Sequence, residues 1–160
     1  MQKLDDMPDD VARFAHQLTR VARKKIERGD NLDPTWFLID MDRERFMPVS
    51  FPCNSEAAAV IIPMLVRDIV ASVEPDVVVS IAEAVIRKLD DNGKPLPDGQ
   101  RDVLSIIVET YDGIWFADPD ITTLESGRRL MDDVLLKFDR IEKHQGPMIG
   151  LLPTRDHTTH

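Results

Sequence analysis

At 160 residues the chain is the size of one ordinary domain, and an apolar content of 42% is enough to build a core of its own. A formal net charge of −9 argues against a protein whose main work is holding phosphate backbones, because non-specific nucleic-acid binding draws on cations that release counterions. No apolar run approaches the roughly 20 residues that cross a bilayer, and the start MQKLDDMPDD lacks the basic residues and apolar stretch of a signal peptide. A single cytoplasmic domain without membrane contact is therefore expected, with residues 1–8 and 154–160 as frayed ends.

The elements follow in chain order. Val11, Phe14, Ala15, Leu18, Val21 and Ala22 recur at three- and four-residue steps, which predicts an amphipathic helix from about Asp9 to Arg28 with Gly29 as its left-handed cap. Trp36 to Ile39 and Phe46 to Phe51 flank the charged tip Asp42-Arg43-Glu44-Arg45 and read as a hairpin, with Pro48 assigning the second strand to a sheet edge. Asn54 and Ser55 are N-cap residues for a second helix over Glu56 to Val73. The near absence of charge between Ala57 and Val66 predicts that this helix is mostly buried, and Pro63 predicts a kink or break.

Val77 to Arg87 is dense in β-branched residues and reads as a strand. Asn92-Gly93 and Asp98-Gly99 mark the connection from Asp90 to Arg101 as a protruding loop, and Asp112-Gly113 signals a hairpin between Ile106 to Tyr111 and Ile114 to Ala117. Leu130, Val134, Phe138 and Ile141 share one helical face, predicting a third helix from about Ser126 to Lys143. Met148 to Leu152 is expected to dock briefly before a polar tail. The fold class is α+β: an antiparallel sheet of about five strands in two hairpin units with two to three packed helices, in the order α-ββ-α-βββ-α. Roadblock-like and profilin-like domains share that order, an analogy that carries no activity.

The segments VVVSIAEAVIRKL, DVLSIIVETYDG and GPMIGLLP resemble an uncharacterised family of small bacterial and phage-associated α+β proteins. The matching residues are Ala82-Glu83-Ala84, Pro95 and Pro97, Glu109 to Gly113, and Gly150 to Pro153, over roughly the C-terminal half. Val85 stands where an aromatic residue is expected, and the loop lacks the usual histidine. The resemblance implies a fold and no reaction.

Among chemistry-bearing residues, Glu83 stands out because Val77, Val79, Ile81 and Val85 share its alternating face. A carboxylate there is either paired, or raised in pKa and functional, and a structural pair or an exposed position is commoner than a catalytic role. Since Val78, Ala82, Ala84 and Ile86 are apolar too, alternation alone does not choose which face turns inward. Glu109 on the neighbouring strand, with Asp112 nearby, completes the candidate catalytic set Glu83, Glu109 and Asp112, as a shared-proton pair or oxygen ligands for a cation.

Asp40 and Asp42 form a D-x-D, as in haloacid-dehalogenase-like phosphatases, but the following Arg-Glu-Arg favours turn-flanking aspartates. Cys53 is the sole cysteine and has no local base; His16, His144, His157 and His160 form no signature, and the glycines match no nucleotide-binding pattern. Arg20, Arg23, Lys24, Lys25 and Arg28 form a basic cluster whose everyday role is to complement a helix C-terminus.

No cofactor or metal is expected from these residues. The leading expectation is a non-enzymatic protein acting through protein contacts, either as a homo-oligomer or with a protein partner. A small carboxylate-based hydrolase or divalent-metal-dependent enzyme using Glu83 and Glu109 is the alternative, and nucleic-acid contact through the basic end of the first helix is the weaker one.

Overall fold

The computed structural model describes residues 7–52, 54–132, 137–141 and 151–152. Two helices and eight strands are present among them: α1 (Asp9–Glu27), β1 (Thr35–Asp40), β2 (Arg45–Ser50), α2 (Glu56–Val73), β3 (Val77–Leu89), β4 (Pro95–Thr110), β5 (Gly113–Ala117), β6 (Ile121–Thr123), β7 (Arg129–Met131) and β8 (Asp139–Ile141). Six strands form one antiparallel sheet in the order β2-β1-β3-β4-β5-β8, and β6 pairs with β7 in a separate hairpin. The class is α+β, as the hairpin pattern predicts.

The helices lie on opposite faces of the sheet. Because period-two alternation sends neighbouring side chains to opposite sides, Val77, Val79 and Ile81 of β3 join Val11, Ala15, Ala22 and Ile26 of α1 in one core. Val78 joins Ile62, Val66 and Val70 of α2 in the other, together with Trp36, Leu38, Leu151 and Leu152. Leu151 and Leu152 bear out the expected docking of that short segment; residues 148–150 lie outside the described set. Both faces of β3 are buried at its start, which explains why its alternation is unreadable in the sequence.

α1 is flanked by Pro8 at its N-cap and Arg28 at its C-cap, with Gly29 following at φ +85°, the left-handed conformation expected there. The Ser55 hydroxyl caps α2 by accepting from the Ala58 amide at 3.1 Å. α2 continues through Pro63 as one helix, so the break allowed for there does not occur. β2 occupies the sheet edge, where Pro48 sacrifices no ladder partner on its open side.

Three expectations are corrected. First, the stretch from Ser126 is not a helix in its described residues: β7 and β8 take its place. Gly127, at φ +85°, donates to the Leu124 carbonyl at 2.8 Å and turns β6 into β7, a conformation incompatible with a helix start. Met131, not Leu130, enters the core, while Val134 and Lys143 lie outside the described residues.

Second, the connection after β3 is a short turn and not a protruding loop. The Asp90 carboxylate accepts from the amides of Asn92 and Lys94 at 2.9 and 2.8 Å, and Gly93 sits at φ +80°. β4 is already under way at Pro95, opposite Leu89, with a bulge between Arg87 and Leu89. Gly99 lies inside β4, where a Cβ would come within 2.9 Å of the Lys88 Cβ. Asp98-Gly99 is therefore a close strand crossing. β1 pairs with β3 only as far as Ile81, and β5 with β4 only from Ile106, so the outer halves of β3 and β4 form a two-stranded ribbon. Prolines are tolerated in such a ribbon because its edges are open.

Third, α2 is not mostly buried. Only Ile62, Val66 and Val70 are buried on it, and its outward side carries apolar residues into solvent.

Candidate functional site

The register of β3 against β4 decides what the candidate carboxylates can do together. Glu83 lies opposite Leu104, and Glu109 lies opposite Val78. Directly opposed residues share a sheet face. Leu104 belongs to the core under α1 and Val78 to the core under α2, so Glu83 and Glu109 project to opposite faces. They are also separated by the five strand positions from Val78 to Glu83, about 16 Å. Sharing a proton or a cation requires one face and a few ångströms, and this sheet provides neither.

Glu109 has a structural partner. It is 1% exposed, and its two carboxylate oxygens accept from the Leu151 amide at 3.0 and 3.3 Å. A buried carboxylate needs hydrogen bonds to its charged form, and here the strand offers that acceptor to the segment that completes the core under α2. Asp112 occupies the two-residue turn Tyr111-Asp112 between β4 and β5. Its amide donates to the Thr110 hydroxyl at 3.1 Å and its carbonyl accepts from Arg140 Nη2 at 2.8 Å. The hairpin is thus centred one residue earlier than Asp112-Gly113. Gly113 is needed for another reason: a Cβ there would lie 2.9 Å from the Trp115 ring.

Glu83 sits past the end of the α1 core, where the β6–β7 hairpin covers the sheet. Its Oε1 accepts from Arg129 Nη2, with the glutamate side chain 32% exposed and the arginine 25%. The pair lines a cavity of about 340 Å³ together with Val85, Asp102, Ile121 and Thr123. A second clasp lies nearby: Arg101 donates to Asp120 Oδ1 from Nη2 at 2.6 Å and from Nε at 2.8 Å. The hydrogen bond to Asp120 raises the Arg101 pKa further above its ordinary value. The Leu104 amide donates to the Pro119 carbonyl at 3.0 Å. Glu83–Arg129 and Arg101–Asp120 therefore tie the small hairpin to the ribbon, with the Glu83 carboxylate paired to the Arg129 guanidinium.

Other candidates resolve similarly. Asp40 Oδ1 accepts from the Arg43 amide at 3.1 Å, a turn-closing role, with Glu44 at φ +51°. In the basic cluster of α1, Arg23 pairs with Glu27 and Arg28 with Asp30, each at 3.2 Å. His16 stacks edge-on against Phe138 at 5.7 Å. Cys53, His144, His157 and His160 lie outside the described residues. Among the described residues no three His, Cys, Asp or Glu side chains converge as a metal site, and no helix is long and apolar enough to cross a membrane.

The feature that sequence reasoning assigned to the core is the outward side of α2. Val60, Ile61, Met64 and Leu65 are 69%, 51%, 63% and 42% exposed. At 100° per residue they fan over one side of the helix together with Ala57, opposite Ile62, Val66 and Val70. No charge interrupts Ala57 to Val66. A helix apolar on all sides is normally enclosed, whereas α2 has a sheet beneath it and solvent above. The signal was visible in the sequence as a charge-free window; the exposure was not, because burial on one side or on both sides calls for the same residue types.

Comparison of the chain with protein-family models, with curated proteins and with solved structures gives no significant match.

Proposed function

We propose that this protein is a non-enzymatic, cytoplasmic module that acts through protein contacts, with self-association as its principal mode. The observation that carries the reading is the charge-free stretch Ala57–Val66 on the outer side of α2, where four large apolar side chains stand in solvent within six residues. Contiguous exposed apolar surface on a soluble chain marks an interaction site, because removing it from water contributes about 25 cal/mol per Å². Phe46 and Met47 on the edge strand β2, and Val85, Leu89 and Leu96 on the ribbon, are also exposed, but charged or polar neighbours intervene there.

The rival enzyme reading needs Glu83 and Glu109 on one face, and the register gives each a separate structural partner. Light scattering across a concentration series, with chemical crosslinking, tests the proposal. A mass that grows with concentration supports it; a strict monomer without a copurifying partner removes its basis.

A further inference from the structure

We infer that the cavity of about 340 Å³ between the ribbon and the β6–β7 hairpin binds a primary ammonium carried on a short apolar stem. The site lies on the α1 face of the sheet, away from the outer side of α2, and is independent of self-association.

Charge selects the sign of the ligand. Glu83 lies opposite Leu104 and Asp102 opposite Val85, so the two carboxylates are diagonal neighbours on one face, with Cβ atoms about 7 Å apart. Arg129 Nη2 donates to Glu83 Oε1 and neutralises that carboxylate. Asp102 has no such cation. It is exposed, and among the described residues its carboxylate makes no hydrogen bond or ion pair. Arg101, beside it in the chain, is taken up by Asp120 and Asp118. Arg87, the next residue outward on that face of β3, makes no pair with it.

Two carboxylates against one guanidinium leave the cavity with an uncompensated negative charge, in a chain whose net charge is −9. An anion is repelled there, and a divalent metal would have to sit beside the guanidinium that holds Glu83. A monovalent ammonium balances the charge. Its three N–H donors, each reaching about 2.8 Å, match the Asp102 carboxylate, the second oxygen of Glu83 and the Thr123 hydroxyl, all of which line the cavity.

Shape sets the stem. Val85 is 49% exposed on the open side of the cavity, and Ile121 is buried at its floor. An alkyl or aryl group laid on Val85 leaves water, a gain that a bare ammonium ion does not have. The volume lies at the lower end of the roughly 300–1,000 Å³ of small-ligand pockets, which admits one ring or a short chain.

Nuclear magnetic resonance titration of the isotope-labelled full chain with phenethylamine tests the site. Binding is expected with a Kd of about 1 mM, with shifts confined to the amides of Glu83, Val85, Asp102 and Thr123 and to the Arg129 Nε–H, which is buried without a partner and so reports on its surroundings. Phenylpropionate, of similar size and opposite charge, and the neutral phenylethanol are expected to bind at least about tenfold more weakly. Asp102→Asn is expected to weaken phenethylamine about tenfold, while Asp91→Asn, which removes an equal charge from the turn of the ribbon, leaves it within about twofold. Acetyl-lysine methylamide beside pentylamine distinguishes the two sources of such an ammonium: tighter binding of the former assigns the site to a lysine side chain, tighter binding of the latter to a free amine.

No localised shift at about 20 mM phenethylamine, some twenty times the expected Kd, overturns the site. So does equal binding of phenylpropionate, undiminished binding by Asp102→Asn, or equal weakening by Asp91→Asn.

Discussion

α1 and α2 flank the same sheet and solve different problems. α1 buries Val11, Ala15, Thr19, Ala22 and Ile26 and turns Arg13, Arg20, Lys24 and Lys25 to solvent, so its composition, apart from the half-exposed Val21, is accounted for by one packed face. α2 buries Ile62, Val66 and Val70 in the same way, yet from Ala57 to Val66 its opposite side is as apolar as its inner one. Folding explains nearly all of α1 and half of α2. The unexplained half of α2 is where the molecule's contacts with others are to be sought, since an exposed apolar stripe adds nothing to the monomer.

The contrast can be broken by comparing substitutions on inner and outer sides. Ile26→Ala on α1 is expected to cost about 3 kcal/mol and Val66→Ala on α2 about 2 kcal/mol, both read by chemical denaturation, because each removes fully buried carbon and leaves a cavity. Glu109→Ala should cost about 2 kcal/mol by stranding the buried Leu151 amide, with faster hydrogen exchange at Leu151 and Leu152 as its specific mark.

Glu83→Gln should cost no more than about 1 kcal/mol, because the Arg129 pair is partly solvated. A far larger loss would mean that the clasp between ribbon and hairpin holds more than it shows. Met64→Asp should leave monomer stability within about 0.5 kcal/mol, as for exposed substitutions generally. If it instead unfolded the chain, the outer side of α2 would belong to the fold.

Much of this architecture was legible. The stripe and Gly29 delimit α1, Ser55 starts α2, and Pro48 marks β2 as an edge, because each depends on chemistry within a few residues. The failures share a cause. Leu130, Val134, Phe138 and Ile141 keep helical spacing, but Gly127 turns the chain into β7 first. Pro95, Pro97 and Gly99 have loop chemistry, yet they zip into β4 because the ribbon has open edges and a close crossing at Lys88.

The Glu83 site was half visible. Its anomaly on an apolar face can be read, but its partner Arg129 lies 46 residues away on a hairpin whose apolar spacing has the period of a helix. The face of Glu109 depended on a register that only the Asp90 turn and the bulge after Arg87 determine. Sequence can show that α2 is apolar on every side from Ala57 to Val66, while only the structure shows that no described element covers one of those sides.

Whether the outer side of α2 makes this chain associate with itself is read from sedimentation equilibrium of wild type beside Met64→Asp. The wild-type mass is expected to rise from 18.2 kDa toward twice that value with increasing concentration, while Met64→Asp, equally well folded, stays at 18.2 kDa. Identical curves for the two proteins would contradict it.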